Sequence, residues 1–237
     1  MEFMPQAAPL VVLAFLGTSF LFGVSALALI YALWKQNLLL AKVIVAVALV
    51  VGVGYGGVLL AASVFSAEKV LTAGQKKYFC EIDCHLAYSA SEVKTAKILG
   101  AGETAAKAEG NFYIVTLKTY FDEKTTSVNR GNGLLYPNDR LAMVVDENGR
   151  WYGPSLPGQR ALDLPAAKLV PLSQSLRPGD SYETTLVFDL PADVKGPRLL
   201  LTDPIPINWV LIGHENSFFH KKIYFGLEPR PAVGQAN

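Results

Sequence analysis

VIVAVALVVGVGYGGVLLAASVFSA, from Val43 to Ala67, holds no charged residue, and neither does FMPQAAPLVVLAFLGTSFLFGVSALALIYALW, from Phe3 to Trp34. About 20 apolar residues in a helix cross the roughly 30 Å of a bilayer's hydrocarbon. Both stretches are long enough to do so with some tilt. They are expected to form a transmembrane helical hairpin over residues 1–67, with spans at about 9–34 and 43–65. The hydrophobic share of 51% reflects that hairpin added to an ordinary soluble domain.

The start, Met-Glu-Phe-Met-Pro, has no Lys or Arg before Lys35, and the apolar run far exceeds the 7 to 15 residues typical of a cleaved signal. The first span is therefore expected to be retained. The turn between the spans carries Lys35 and Lys42, which by the positive-inside rule places it in the cytoplasm and both termini outside. Lys69, Lys76 and Lys77 after the second span pull the other way, but charge on a large flanking domain counts for little. In the second span, Gly52 and Gly56 have the small-x-x-x-small spacing that lets helix backbones approach. They are the candidate helix-packing residues, against the first span or another protein.

Beyond the hairpin the chain reads as a linker over 68–76, one β domain over 77–228 and a flexible tail over 229–237. With Lys35, Lys42 and Glu2 set aside, 19 basic and 19 acidic residues remain. So balanced a surface offers no basic face for nucleic acid. Residues Tyr78 to Tyr88 alternate with period two and predict one long strand, with Tyr78, Cys80, Ile82, Cys84, Leu86 and Tyr88 on one face. Further strands are predicted at Asn111–Phe121, Leu141–Val145, Arg150–Tyr152, Tyr182–Leu190, Arg198–Thr202, Asn208–His214 and Phe219–Phe225. Lys94 to Gly110, rich in Ala, Gly and Lys, reads as a mobile connection. Asn148-Gly149 marks a tight hairpin, Arg177-Pro178-Gly179-Asp180 a turn, and Pro191 the end of a strand. Short strands punctuated by turns, with no helical period, predict an antiparallel β-sandwich of immunoglobulin-like type.

Leu176-Arg177-Pro178-Gly179-Asp180-Ser181, leading into Thr185-Leu186-Val187-Phe188-Asp189-Leu190-Pro191, resembles a group of bacterial extracytoplasmic immunoglobulin-like domains of unknown function, here in a membrane-anchored form. The resemblance covers roughly Lys77 to Leu227. It implies the sandwich fold and a periplasmic or external location, and carries over no catalytic residues. A second resemblance is architectural. Two spans before an extracytoplasmic β domain look like subunit II of haem-copper oxidases, which bind two coppers through a Cys-x-x-x-Cys segment. Cys80-Glu81-Ile82-Asp83-Cys84 has that spacing. Here, however, the pair opens the domain instead of lying late in it, and no Met follows Met143.

All the cysteines and histidines fall in two places, Cys80, Cys84 and His85 early in the domain and His214 and His220 late. Such residues ligate copper or zinc, and Cys80 to His85 is one residue longer than a haem attachment Cys-x-x-Cys-His. A turn at Glu215–Phe219 would bring His214 and His220 face to face across a hairpin. These five residues are the candidate metal ligands. Against that, a single strand points both cysteines inward as small buried hydrophobes. It also separates their Cα atoms by about 13 Å, too far for a disulfide without a distorted strand. Glu81, Asp83 and His85 read as a solvated stripe. Ser173, Ser175, Ser181 and Ser217 lack a nucleophile's context, and there is no Gly-rich phosphate loop. Trp209, which closes the Pro-rich segment from Leu201, is expected to pack in the core.

The function expected from these features is that of a non-catalytic, membrane-anchored accessory or interaction protein without a cofactor, not an enzyme. Its partners would be the membrane and the subunits of a larger complex of respiratory or photosynthetic kind. The alternatives are a copper- or haem-handling protein built on Cys80, Cys84, His85, His214 and His220, and a small-ligand or glycan-binding sandwich using Tyr136, Trp151 and Tyr152.

Overall fold

The computed structural model describes residues 8–79, 86–122, 131–162 and 170–228. Cys80, Cys84 and His85, with Glu81 and Asp83, lie outside the described residues, as does the tail from 229. The chain divides into two compact units: residues 6–67 with 205–222, and residues 68–204 with 223 onward.

In the first unit, helix α1 (Ala8–Trp34) and helix α2 (Leu38–Val64) run 27 residues each. Both are long and apolar enough to cross a membrane. Neither has a polar face, and large apolar side chains are exposed all along them, Leu13, Phe20 and Leu27 on α1 and Val47, Val50 and Val53 on α2 among them. The turn is three residues long. Gln36 takes a left-handed conformation at φ 53°, its N–H reaches Leu33 O, and Asn37 N–H reaches Ala32 O at 2.8 Å. These two bonds satisfy the carbonyls that end α1. Asn37 then caps α2 by accepting from Leu40 N–H at 3.0 Å. That cap starts α2 five residues earlier than the uncharged run implied, with Lys42 inside the helix.

The second unit has two sheets. Its strands are β1 (Lys69–Leu71), β2 (Lys77–Phe79), β3 (Leu86–Leu99), β4 (Ala106–Phe121), β5 (Leu141–Val145), β6 (Trp151–Tyr152), β7 (Ser181–Leu190), β8 (Arg198–Thr202) and β9 (Ile223–Gly226). One sheet has the order β1-β9-β8-β5-β6 and the other β2-β3-β4-β7. Leu86, Tyr88, Val115, Leu117 and Phe188 from one sheet meet Val144, Leu199, Leu201 and Phe225 from the other in a single core. Short helix α3 (Leu156–Ala161) covers the outer face of β4 and β7, where Ala161 packs with Phe112 and Val187. The Gln159 side chain donates to Thr185 O at 2.8 Å and accepts from Val187 N–H at 3.0 Å. It thereby pairs the outer edge of β7 as another strand would.

Four expectations change. The strand predicted over Tyr78–Tyr88 is two strands, since β2 lies antiparallel to β3 with Phe79 opposite Leu86. Parity is the test: one strand would put Phe79 and Leu86 on opposite faces, and both are in the same core. The 13 Å separation argued against a Cys80–Cys84 bridge thereby loses its premise. The expected mobile connection at Lys94–Gly110 is instead the far end of the β3–β4 ladder, which continues to Leu99 opposite Ala106. Its small residues are required there, because a Cβ on Gly110 would strike the backbone of Leu190, Pro191 and Ala192. The sheets are not wholly antiparallel, because β1 lies parallel to β9, a strand inside the expected linker. Finally, Asn208–His214 is no strand, and the last strand begins at Ile223, not Phe219.

Candidate functional site

Two groups of side chains stand out, a buried polar seam in the sandwich and an apolar loop in the helical unit. The seam starts at Lys77, only 2% exposed. Its Nζ donates to Leu201 O at 2.6 Å and Ile223 O at 3.1 Å. The β8–β9 ladder pairs Arg198 with Gly226 and Leu199 with Phe225, a register that would next align Leu201 with Ile223. Where the ladder ends, the lysine of the facing sheet takes up both carbonyls. Beside it, the Arg140 side chain is buried and pairs with Asp203 at 3.0 Å, its guanidinium 4.4 Å from the Phe79 ring centre. Asp122 accepts from Tyr78 Oη at 2.6 Å and Lys76 Nζ at 2.9 Å. Each of these carboxylates faces a cation, as buried charge requires, and the polar cross-link between the sheets is Lys77, which reaches from β2 to the β8 and β9 carbonyls.

The loop is Ile205–Lys222. Pro204 and Pro206 cannot donate to a ladder, so β8 ends and a 3-10 helix follows at Pro206–Val210. A chain of turns then folds the segment on itself. Phe218 N–H reaches Trp209 O at 3.2 Å, His214 N–H reaches Leu211 O at 3.2 Å, Ser217 N–H reaches His214 O at 2.9 Å and His220 N–H reaches Ser217 O at 3.1 Å. The Ser217 hydroxyl donates to Leu211 O. One bond ties the loop to α2 and another to the residue beyond its C-cap: the Tyr55 hydroxyl donates to Val210 O at 2.7 Å, and Lys221 N–H donates to the Ser66 hydroxyl at 2.8 Å. While the carbonyls of Ile205, Asn208, Trp209, Val210, Leu211, His214 and Ser217 are paired, several of its bulky side chains are not covered. Trp209, expected in the core, is 50% exposed and packs at a tilt on Phe218, and Phe219 is 76% exposed. Phe219 also holds φ at +65°, a conformation costly for a bulky residue. Burial pushes the Lys222 ammonium below the ordinary lysine range, opposed by Glu215.

The predicted site residues are placed as follows. His214 and His220 do not face each other across a hairpin but sit in successive turns. Nδ1 of His214 accepts from Asn216 N–H at 3.0 Å, and Nδ1 of His220 lies 2.7 Å from Lys221 O. Among the described residues no three His, Cys, Asp or Glu side chains converge as a metal site. A Cβ on Gly52 would come 3.1 Å from the Phe22 ring of α1, whereas Gly54, Gly56 and Gly57 have nothing within 4 Å. Of the aromatics considered for a ligand, Tyr136 and Trp151 are exposed, while Tyr152 turns its hydroxyl to Asp146 at 3.3 Å. Near the helical turn, Leu29, Leu33, Leu38, Ala41 and Val45 line an open apolar groove of about 400 Å³.

No protein-family model matches the chain, and no curated protein matches it. Solved structures with some likeness include the secreted protein MPT63 from Mycobacterium tuberculosis, 11% identical, with a TM-score of 0.41 covering 69% of this chain and 99% of that one. The yjhA protein from Bacillus subtilis is 14% identical, with a TM-score of 0.39 covering 66% and 98%. A conserved hypothetical protein from Bacillus anthracis is also 14% identical, with a TM-score of 0.37 covering 53% and 85%.

Proposed function

We propose that this is a non-catalytic, membrane-anchored accessory protein whose immunoglobulin-like sandwich stands outside the cytoplasm while its helical hairpin joins a larger membrane complex. The observation that carries this is the pair of 27-residue helices that pack on each other and expose large apolar side chains along the rest of their surface. A helix apolar all round needs lipid or protein against each face. The orientation rests on Lys35 and Lys42 at the turn end, where Trp34 also sits, its ring 5.4 Å from the Lys35 ammonium. Trp and Lys together are typical of a cytoplasmic interface. The partner rests on the open face of α2 at Gly54 and Gly57, three residues apart and exposed, where a second helix would meet bare backbone.

Single cysteines introduced at Asn148 and Gln36, in a chain with Cys80 and Cys84 replaced by Ser, test the orientation in intact cells. A membrane-impermeant thiol reagent should label the first and spare the second; the opposite pattern overturns the topology. Purification in mild detergent should co-isolate other subunits, and a protein that stays solitary in several detergents would refute the accessory role.

A further inference from the structure

We propose that Ile205–Lys222 is a membrane-inserting loop that sinks the side chains of Ile207, Trp209, Phe218 and Phe219 into the boundary between headgroups and acyl chains of the bilayer that holds the hairpin. The inference rests on the anchor reading above and deepens it by assigning the loop a partner, the phospholipid surface.

Depth is the first argument. Helix α2 has 27 residues, about 40 Å at 1.5 Å per residue, against roughly 30 Å of hydrocarbon. Hydrocarbon beginning at Leu38 would end near Gly57, and hydrocarbon ending at Val64 would begin near Val45. Tyr55 falls inside both limits. Its hydroxyl donates to Val210 O at 2.7 Å, so the loop is held against a part of α2 that any spanning placement puts at or below the hydrocarbon edge. The Ser66–Lys221 bond then marks its shallower end.

Polarity is the second. In water a loop hides its large apolar groups; this one exposes four of them while pairing many of its carbonyls within the helical unit. The carbonyls of Ile205, Asn208, Trp209, Leu211, His214 and Ser217 accept from within the loop and that of Val210 from Tyr55, as backbone at membrane depth must. Ile207, Trp209, Phe218 and Phe219 are meanwhile exposed. Trp and Phe are favoured at that depth. Of its charged groups, Lys221 lies at the end of the loop that Ser66 holds, while Glu215 is buried and the Lys222 ammonium turns back to Glu215 O and Asn216 Oδ1.

The test uses the full chain in vesicles of phosphatidylcholine and phosphatidylglycerol. With Trp34→Phe and Trp151→Phe, Trp209 is the sole tryptophan; a parallel chain also carrying Trp209→Phe and Leu21→Trp reports on the first span. The proposal expects Trp209 emission to be blue-shifted, quenched more by lipids brominated near the headgroup than by those brominated deep in the chain, and shielded from iodide. Trp209 reached by iodide and untouched by brominated lipid, while the span reporter is quenched, overturns the loop's insertion and leaves the anchor standing. Trp209 shielded from both quenchers also overturns it, since protein then covers the loop. A span reporter untouched by brominated lipid overturns the anchor and the insertion together. A photoreactive phenylalanine analogue replacing Phe219 in the otherwise unaltered chain gives a second measurement in native membranes: lipid adducts support the proposal, protein adducts refute it.

Discussion

At Lys77 a buried side-chain nitrogen is held between two sheets by two carbonyls that would otherwise face each other across the end of a ladder. Lys77→Met keeps the apolar stem but strands Leu201 O and Ile223 O. Leaving buried acceptors unpaired costs about 1–3 kcal/mol, so the unfolding free energy of the sandwich should fall by that amount, read as a lower denaturation midpoint at unchanged slope, while the helical unit persists; an unchanged midpoint would show that the side chain contributes nothing. A second residue-scale contact sets a pH response. Asp146 is buried, which alone would raise its carboxyl, but the Arg150 backbone N–H and guanidinium, with the Asn148 N–H, outweigh burial and hold it below the ordinary carboxylate range. Its distances are 2.9 Å to Arg150 N, 2.7 Å to Arg150 Nε and 2.9 Å to Asn148 N. Because the folded pKa is depressed, the stabilisation is complete above the unfolded value of about 3.9 and drains away as pH falls through the folded one. Asp146→Asn should therefore melt below the native protein at pH 7, with the gap closing below about pH 4; a gap that persists to lower pH would place its cause elsewhere.

Among the elements, the two glycines of the small-x-x-x-small pair are no longer equivalent. Gly52→Leu must displace the Phe22 ring, whereas Gly56→Leu enters open space. Spin labels on α1 and α2 should report a widened distance in the first variant and an unchanged one in the second; Gly57→Leu, on the open face, should instead reduce co-purification of partners. Which elements could be read from sequence follows from where their signals originate. Leu141–Val145, Arg198–Thr202 and the strand ending at Pro191 are bounded by local turn residues, and each appears where the alternation put it. The β2–β3 hairpin was hidden because apolar alternation happens to run on from Tyr78 to Tyr88, and only the cross-strand pairing of Phe79 with Leu86 separates two arms from one strand. The outer ends of β3 and β4 were hidden because Ala, Gly and Lys have low strand propensity, and tertiary pairing overrode it. The Trp209-Val210-Leu211-Ile212 run carried the right hydrophobicity but no indication of whether protein or solvent would face it. That depends on the Tyr55 contact, 155 residues away. The seam was invisible for the same reason, since Lys77, Arg140 and Asp203 meet only once the sheets have formed.

For the molecule as a whole, the chain belongs to the helical unit twice, before Ala67 and again from Ile205 to Lys222. Strand β1 begins two residues after the first passage, β9 directly after the second, and the two form the parallel pair Lys69 to Ile223. The sandwich is thus joined to the helical unit at three points along the chain. A protease that severed only the segment between Ser66 and Glu68 should therefore not shed the sandwich. After such a cut, made at an engineered site in native membranes and followed by a high-salt wash, the sandwich should sediment with the membrane fraction, and it should enter the supernatant only when the chain is also opened on both sides of Ile205–Lys222. Release after the single cut would show that the loop has no hold of its own. If the sandwich stands outside and the loop is inserted as proposed, a single cut of the stalk does not release it, and its encounters take place at the membrane surface.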